Sequence, residues 1–160
     1  MEEVSLQEML AAREHRVALQ TRLLQQYKKS LISFTLNIPG PVKVPDGVPQ
    51  AFATGCRRIE TLLKDRLVLV QHMETIKEKT GYEAFYCIDA NPEFIKTLMV
   101  TLEDQDRLGR LFDIDVLRPD ACKVSREDLG FSPRTCLLCG QPAHVCSRSR
   151  SHSVAELTAE

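Results

Sequence analysis

The sequence predicts an α/β or α+β fold with a single mixed sheet flanked by helices. Segments with apolar residues at three- and four-residue intervals alternate with short runs of β-branched and aromatic residues. Prolines and glycines separate these runs, as is typical of strand ends and turns. The 160 residues, of which 43% are apolar and 27% charged, suit one globular domain over residues 1–160.

The first element is a long helix over about residues 6–29. Ser5 and Glu8 have the spacing of a capping box, which satisfies free backbone amides at a helix start. Apolar residues recur on one side, and Arg13 interrupts them. These apolar residues are Leu6, Met9, Leu10, Val17, Leu24 and Tyr27. The basic residues of this helix fit either a solvated face or contact with an acidic partner.

The middle of the chain predicts two strands and two helices. Residues 30–38 are rich in β-branched residues and stop at two prolines, which indicates a buried strand. A proline-rich loop leads to a helix over about residues 50–64, and the apolar run 67–70 either extends that helix or forms a strand. Residues 83–89 predict a further strand. Asn91 then starts a helix whose first residue is a proline.

Two aspartates in the last predicted strand, residues 109–117, are candidate metal ligands. Strand side chains alternate, so Asp113 and Asp115 share one face while the apolar residues between them point to the other. Adjacent carboxylates repel each other unless a cation or a shared proton neutralises them. Mg²⁺ binds one or two carboxylates together with phosphates, which suits phosphoryl or nucleotidyl transfer. A solvent-facing acidic edge strand is the alternative.

Residues 134–153 form a predicted small lobe that is rich in cysteine and arginine. Two cysteines form a Cys-x-x-Cys pair followed by glycine, a spacing that allows two thiolates to bind one Zn²⁺. The candidate zinc ligands are Cys136, Cys139, Cys146 and either His152 or His144. Three reduced cysteines that pack a small lobe are the alternative. The guanidinium groups of Arg134, Arg148 and Arg150 could grip phosphates or belong to a solvated tail.

Composition and charge limit the remaining possibilities. The formal net charge of −1 argues against a general nucleic-acid binder. The acidic amino terminus predicts no signal peptide, and no apolar run is long enough to span a membrane. We therefore expect a cytoplasmic protein without a membrane or nucleic-acid partner, whose six cysteines are thiols or metal ligands.

Three separated motifs carry a family resemblance. They are Asn-Ile-Pro-Gly-Pro-Val-Lys at 37–43, Gly-Arg-Leu-Phe-Asp-Ile-Asp-Val at 109–116, and the tail from Arg134 through the cysteines to His152. Together they resemble holo-citrate lyase synthase, the apo-citrate lyase phosphoribosyl-dephospho-coenzyme A transferase family. The resemblance covers essentially the whole chain.

The resemblance implies a transferase with two substrates. The donor would be triphosphoribosyl-dephospho-coenzyme A and the acceptor a serine of the acyl carrier (gamma) subunit of citrate lyase, with release of diphosphate. A related activity in malonate decarboxylase maturation uses a nucleotidyltransferase-like site with paired aspartates, which Asp113 and Asp115 match.

The resemblance also suggests residue roles. Asp113 and Asp115 would hold Mg²⁺ with Arg110 beside them, and Asp89 would be a third carboxylate or the general base. The residues expected to grip the donor's phosphates are Lys43, Arg134, Arg148 and Arg150. Two other functions remain open, a zinc-stabilised binding module and a metal-dependent nucleotide hydrolase that uses the same aspartates.

Overall fold

The computed structural model describes residues 2–132 and 134 of the chain. Within them the chain forms three α-helices, one four-stranded sheet and two single-turn 3₁₀ helices. The α-helices are α1 (Leu6–Tyr27), α2 (Val48–Asp65) and α3 (Pro92–Asp104). The strands are β1 (Ser30–Leu36), β2 (Leu69–Glu78), β3 (Gly81–Asp89) and β4 (Phe112–Leu117). The 3₁₀ helices are Gly109–Leu111 and Glu127–Leu129.

The sheet has the strand order β2-β3-β1-β4, and every neighbouring pair is antiparallel. The prediction of a single sheet flanked by helices is confirmed. The sheet is antiparallel throughout instead of mixed, and the two-residue connection between β2 and β3 allows only that direction of pairing.

Helices α2 and α3 cover one face of the sheet and form the main core. Phe34 on β1 is fully buried there, stacks on Phe52 at 5.5 Å and meets Phe112 edge-on at 5.2 Å between ring centroids. At Gly55 of α2 a Cβ atom would lie 2.3 Å from Cζ of Phe34, so only glycine allows this close approach.

Helix α1 covers the other face of the sheet. The side of α1 that packs on the sheet differs from the predicted apolar side. Its buried residues are Leu19, Leu23 and Leu24, whereas Leu6, Leu10 and Val17 are exposed. Polar contacts hold the middle of α1, where Arg16 pairs with Glu83 and the Gln20 side chain donates to the Ser33 hydroxyl at 3.0 Å. The predicted apolar side is therefore only partly correct, because this part of α1 borders a polar cavity.

Two other element boundaries differ from the prediction. The apolar run 67–70 marks the passage from α2 into β2, which continues to Glu78. The segment Gly109–Leu111 is a 3₁₀ turn instead of the start of the last strand. A Cβ atom at Gly109 would lie 2.2 Å from the Leu102 carbonyl oxygen, and the Gly109 N–H donates to the Asp106 carboxylate at 2.8 Å. This close packing imposes the turn.

A candidate active site on strand β4

Asp113 and Asp115 project from β4 toward the α1 side of the sheet. Their strand alternates as predicted, because Phe112, Ile114 and Val116 are fully buried in the main core while Asp113 is exposed and Asp115 half-buried. The predicted shared face of the two carboxylates is therefore confirmed.

Asp113 lines a cavity of about 160 Å³ between α1, the end of β1, the start of β3 and the proline-rich loop. The charged side chains of its lining are Arg13, Arg16, Lys43, Glu83 and Asp113. The cavity has room for a phosphate-sized group, and its lining offers cations that would attract one.

Two of the cations around this cavity are available to a ligand. The Lys43 ammonium donates to the Ile38 carbonyl oxygen at 2.7 Å, and burial and the nearby Arg13 charge lower its pKa. Arg13 makes no hydrogen bond or ion pair with the rest of the described chain. Two neighbouring cations without a carboxylate partner repel each other, so an anion bound between them would be stabilised.

The other charged pair around the cavity is satisfied within the protein. Arg16 and Glu83 form an ion pair between α1 and β3. Glu83 and Asp113 flank Thr35 on either side in the same row of the sheet. Adjacent strands lie about 4.8 Å apart, which places these two carboxylate-bearing positions roughly 10 Å from each other.

The environment of Asp113 disfavours its ionised form. The carboxylate is accessible, but it lies in a concave surface where surrounding protein displaces much of the bulk water. This desolvation raises its pKa, and the charges of Asp115 and Glu103 raise it further against the opposing influence of Arg134 and Lys123. A bound cation would relieve this unfavourable energy.

The donor set suits a hard divalent cation that shares its coordination with a substrate. Asp113 and Asp115 supply carboxylate oxygens from one face, and Asp115 pairs with Lys123 at 3.4 Å. Within residues 2–132 and 134, no group of three or more histidine, cysteine, aspartate or glutamate side chains is arranged to hold a metal. Two carboxylates therefore fit Mg²⁺ only if phosphates complete its ligands.

In the part of the chain that the structure describes, the outer edge of β4 has one isolated antiparallel bridge, between Leu117 and Lys123, and side chains cover the rest. The Glu103 carboxylate accepts the Ile114 N–H at 2.8 Å, and the Lys96 ammonium donates to the Ile114 carbonyl oxygen at 2.8 Å. Arg126 donates to Glu103 at 2.7 Å from the other side. These bonds satisfy the backbone of Ile114 on the side of β4 that faces away from β1.

Arg134 and Arg110, both predicted site residues, meet at this edge. The Arg134 guanidinium donates to the carbonyl oxygens of Phe112 at 2.6 Å and of Arg110 at 2.7 Å. Arg110 lies in the 3₁₀ turn that precedes β4 instead of within the strand. Arg110 is close to Asp113 in the chain. Arg134 is close enough in space for its charge to act on Asp113, and its guanidinium is bound to backbone at the edge of the strand.

Asp89 lies at the opposite end of the sheet from the aspartate pair. Asp89 follows Ile88, which pairs with Ser30, whereas Asp113 pairs with Thr35. The two carboxylates are therefore six residues apart along the strands, a separation of roughly 20 Å. Its carboxylate pairs with Lys29 at 3.3 Å. The suggested role as a third ligand or general base beside Asp113 is therefore wrong in this structure.

The remaining predicted site residues lie outside the described residues. They are the arginines Arg148 and Arg150 and the candidate zinc ligands Cys136, Cys139, Cys146, His144 and His152. Conversely, sequence reasoning missed Arg13, Arg16 and Glu83. The interruption of an apolar helix side by Arg13 was the available signal.

Comparison with known proteins identifies the family. A sequence model of the apo-citrate lyase phosphoribosyl-dephospho-CoA transferase family matches residues 4–160. The chain belongs to this family. A probable apo-citrate lyase phosphoribosyl-dephospho-CoA transferase of Streptococcus pyogenes serotype M18 is 39% identical over 162 residues, which cover 98% of this chain and 82% of the relative. This degree of similarity confirms the resemblance carried by the three motifs.

Two further relatives of this transferase extend the comparison. The apo-citrate lyase phosphoribosyl-dephospho-CoA transferase of Escherichia coli O1:K1 is 35% identical, with 96% of this chain and 84% of the relative covered. Protein CitXG of Leuconostoc mesenteroides is 35% identical over 97% of this chain, which spans 33% of that longer protein. The transferase is thus an enzyme that transfers a group, and its described helices include none with the length and apolar character needed to cross a membrane.

Proposed function

We propose that this enzyme attaches the phosphoribosyl-dephospho-coenzyme A group to a serine of the acyl carrier (gamma) subunit of citrate lyase. The donor is triphosphoribosyl-dephospho-coenzyme A. Family membership supports the group that is transferred. The observation that carries the proposal is one cavity in which Asp113 faces the cations Arg13 and Lys43, an arrangement suited to polyphosphate chemistry.

The reaction exchanges one phosphorus–oxygen bond for another. The carrier serine oxygen bonds to the innermost phosphorus of the donor's triphosphate, and the bond from that phosphorus to the next bridging oxygen breaks. The outer two phosphates leave together as diphosphate, while the serine loses its proton. Negative charge accumulates on the departing diphosphate, so cations at that position lower the barrier.

Arg13 and Lys43 are the described residues that best fit this role. An anion bound between them relieves their mutual repulsion. The two cations would therefore stabilise the departing diphosphate most strongly in the transition state, when its negative charge develops. Arg16 is held in its ion pair with Glu83, which shapes the cavity wall. We extend the phosphate-gripping role predicted for Lys43 to Arg13. The Arg134 guanidinium is engaged by the carbonyl oxygens of Phe112 and Arg110 and does not line the cavity, so we assign it to holding the edge of β4.

Asp113 and Asp115 would hold Mg²⁺ when the donor is present. The ion would supply charge neutralisation for the phosphates, which is its usual part in phosphoryl transfer. The protein's own contribution is to fix both carboxylates on one face of a strand whose outer edge is clamped by Glu103 and Lys96. The clamp limits movement of the pair at little entropic cost during the reaction.

Intact-mass spectrometry tests the proposal. The apo carrier is incubated with donor and enzyme, and a carrier with its acceptor serine changed to alanine serves as control. We expect a mass gain equal to the phosphoribosyl-dephospho-coenzyme A group on the first carrier alone, with one diphosphate released per modified carrier. Diphosphate release without any carrier, or no mass gain, would instead favour a hydrolase or a binding module.

A further inference from the structure

Three large apolar side chains of α1 are exposed beside the cavity. Leu6 is 76% exposed, Leu10 47% and Val17 59%. With Arg13 they recur at intervals of four, three and four residues, which places them on one side of the helix. We call Leu6, Leu10, Arg13 and Val17 the α1 seam. Its 3-4 spacing is that of a surface which packs against another helix.

The opposite side of α1 is fastened to the sheet. Glu8 pairs with Lys79 of the β2–β3 hairpin at 2.6 Å, and Arg22 donates two hydrogen bonds of 3.0 and 2.9 Å to Glu74 of β2. At 100° per residue, Glu8 and Arg22 project away from the seam. The helix cannot rotate to bury the seam without breaking these ion pairs.

The seam is continuous with the reaction cavity through Arg13. This residue lines the same cavity as Asp113 and is also a member of the seam. A cavity of about 160 Å³ admits a serine side chain and phosphates, but it cannot enclose the protein that carries the serine. The rest of that segment must lie on the rim, where the seam offers apolar contact.

We infer that the α1 seam is the docking surface for a helix of the carrier subunit, next to its acceptor serine. The inference rests on the proposed function. The carrier helix would place apolar residues at three- and four-residue intervals on Leu6, Leu10 and Val17. It would bring the serine to the cavity at Arg13. A second exposed apolar group, at Leu67 and Leu69, lies at the end of α2 and does not line the cavity.

Charge substitutions in the seam test the inference. Leu10→Glu and Val17→Glu place a carboxylate at exposed positions, so the fold is retained, and Leu67→Glu at a residue 93% exposed is the matched control. Calorimetric titration with apo carrier, without donor, should show affinity at least about tenfold weaker for both seam variants and unchanged for the control. The KM for carrier should rise equally, while the KM for donor stays at its wild-type value.

Three outcomes would overturn the inference. The first is that the seam variants bind the carrier as tightly as the wild type does. The second is a donor KM that rises as much as the carrier KM, which would mean a disturbed cavity. The third is a wild-type dimer, by light scattering, that Leu10→Glu dissociates, since a second copy would then occupy the seam. Unchanged carrier affinity of the seam variants, with mass gain on the carrier by the wild type, would refute only this docking surface. No mass gain with the wild type would refute the proposed function.

Discussion

At the scale of single residues, the site depends on a carboxylate held where ionisation is unfavourable. Desolvation is the largest cause of the raised pKa of Asp113, followed by the charge of Asp115. A raised pKa in the folded state means that the ionised carboxylate lowers stability at neutral pH. That penalty disappears as the pH falls through the folded-state pKa.

We therefore predict a titration of Asp113 above the usual aspartate value of about 4. Carboxyl ¹³C NMR of the ligand-free enzyme measures it, and Asp115→Asn should move the midpoint downward because one repelling charge is lost. A midpoint for Asp113 that Asp115→Asn leaves unchanged would contradict the coupling of the two carboxylates.

Arg13 and Lys43 should matter for donor binding. Arg13→Gln and Lys43→Met each remove one of two converging cations, so the KM for donor should rise about tenfold or more while the protein remains folded. Arg66→Gln is the control, since Arg66 is exposed and does not line the cavity. Steady-state kinetics with varied donor provide the measurement. A normal donor KM in both variants would show that the donor's phosphates do not bind in this cavity.

Sequence reasoning predicted the aspartates more fully than their cationic neighbours. The alternation around Asp113 and Asp115 is local, so the pattern of β4 alone determines their shared face. Arg13 lies on α1, and only the packing of that helix over the sheet brings it to Asp113. A one-residue interruption of an apolar side does not indicate which distant residue it will meet.

At the scale of elements, β4 is an edge strand that is stabilised by side chains. Glu103 is buried and links the Ile114 N–H to Arg126. Its loss would leave an unsatisfied backbone N–H and would remove one of the two carboxylates that pair with the partly buried Arg126 guanidinium. The position of the aspartate pair therefore depends on α3.

We predict that Glu103→Ala lowers the free energy of unfolding by about 3 kcal/mol, the cost of breaking a buried charged pair. Urea denaturation followed by circular dichroism measures this loss. Glu127→Ala removes an exposed carboxylate nearby and should have little effect. Equal stability of both variants would show that the edge network contributes nothing.

The elements themselves were predicted unevenly. The buried strands β1, β3 and β4 have continuous or alternating apolar residues that identify them. β2 is an edge strand whose side chains are exposed or half-buried along its length, so it lacks an apolar face strong enough to reveal it from sequence. The strand order requires long-range pairing, which no local pattern encodes.

At the scale of the whole molecule, the two faces of the sheet differ: the α1 side has the smaller of two buried apolar clusters. One face packs the aromatic core against α2 and α3, and the α1 side carries the charged cavity. The alternating residues of β4 match this difference, since Ile114 and Val116 pack in the core while Asp113 lines the cavity. The zinc ligands predicted at Cys136, Cys139, Cys146 and His152 lie outside the described residues and stay a prediction.

Metal analysis of enzyme purified without chelators tests the zinc prediction. We expect about one zinc per chain, and loss of it on Cys139→Ser, because a tetrahedral site rarely tolerates the loss of a thiolate. Cys122→Ser is the control, since Cys122 is an exposed free thiol outside the predicted cluster. A metal-free wild-type protein of full stability would contradict a structural zinc.

The most direct test of the central claim compares transfer by the aspartate variants. Intact-mass measurement of the carrier should show no modification with Asp113→Asn or Asp115→Asn, and normal modification with Asp65→Asn. The melting temperature of Asp113→Asn should equal or exceed that of the wild type, because an unfavourable charge has been removed. Near-normal transfer by both variants would contradict the assignment of the β4 aspartates to the active site.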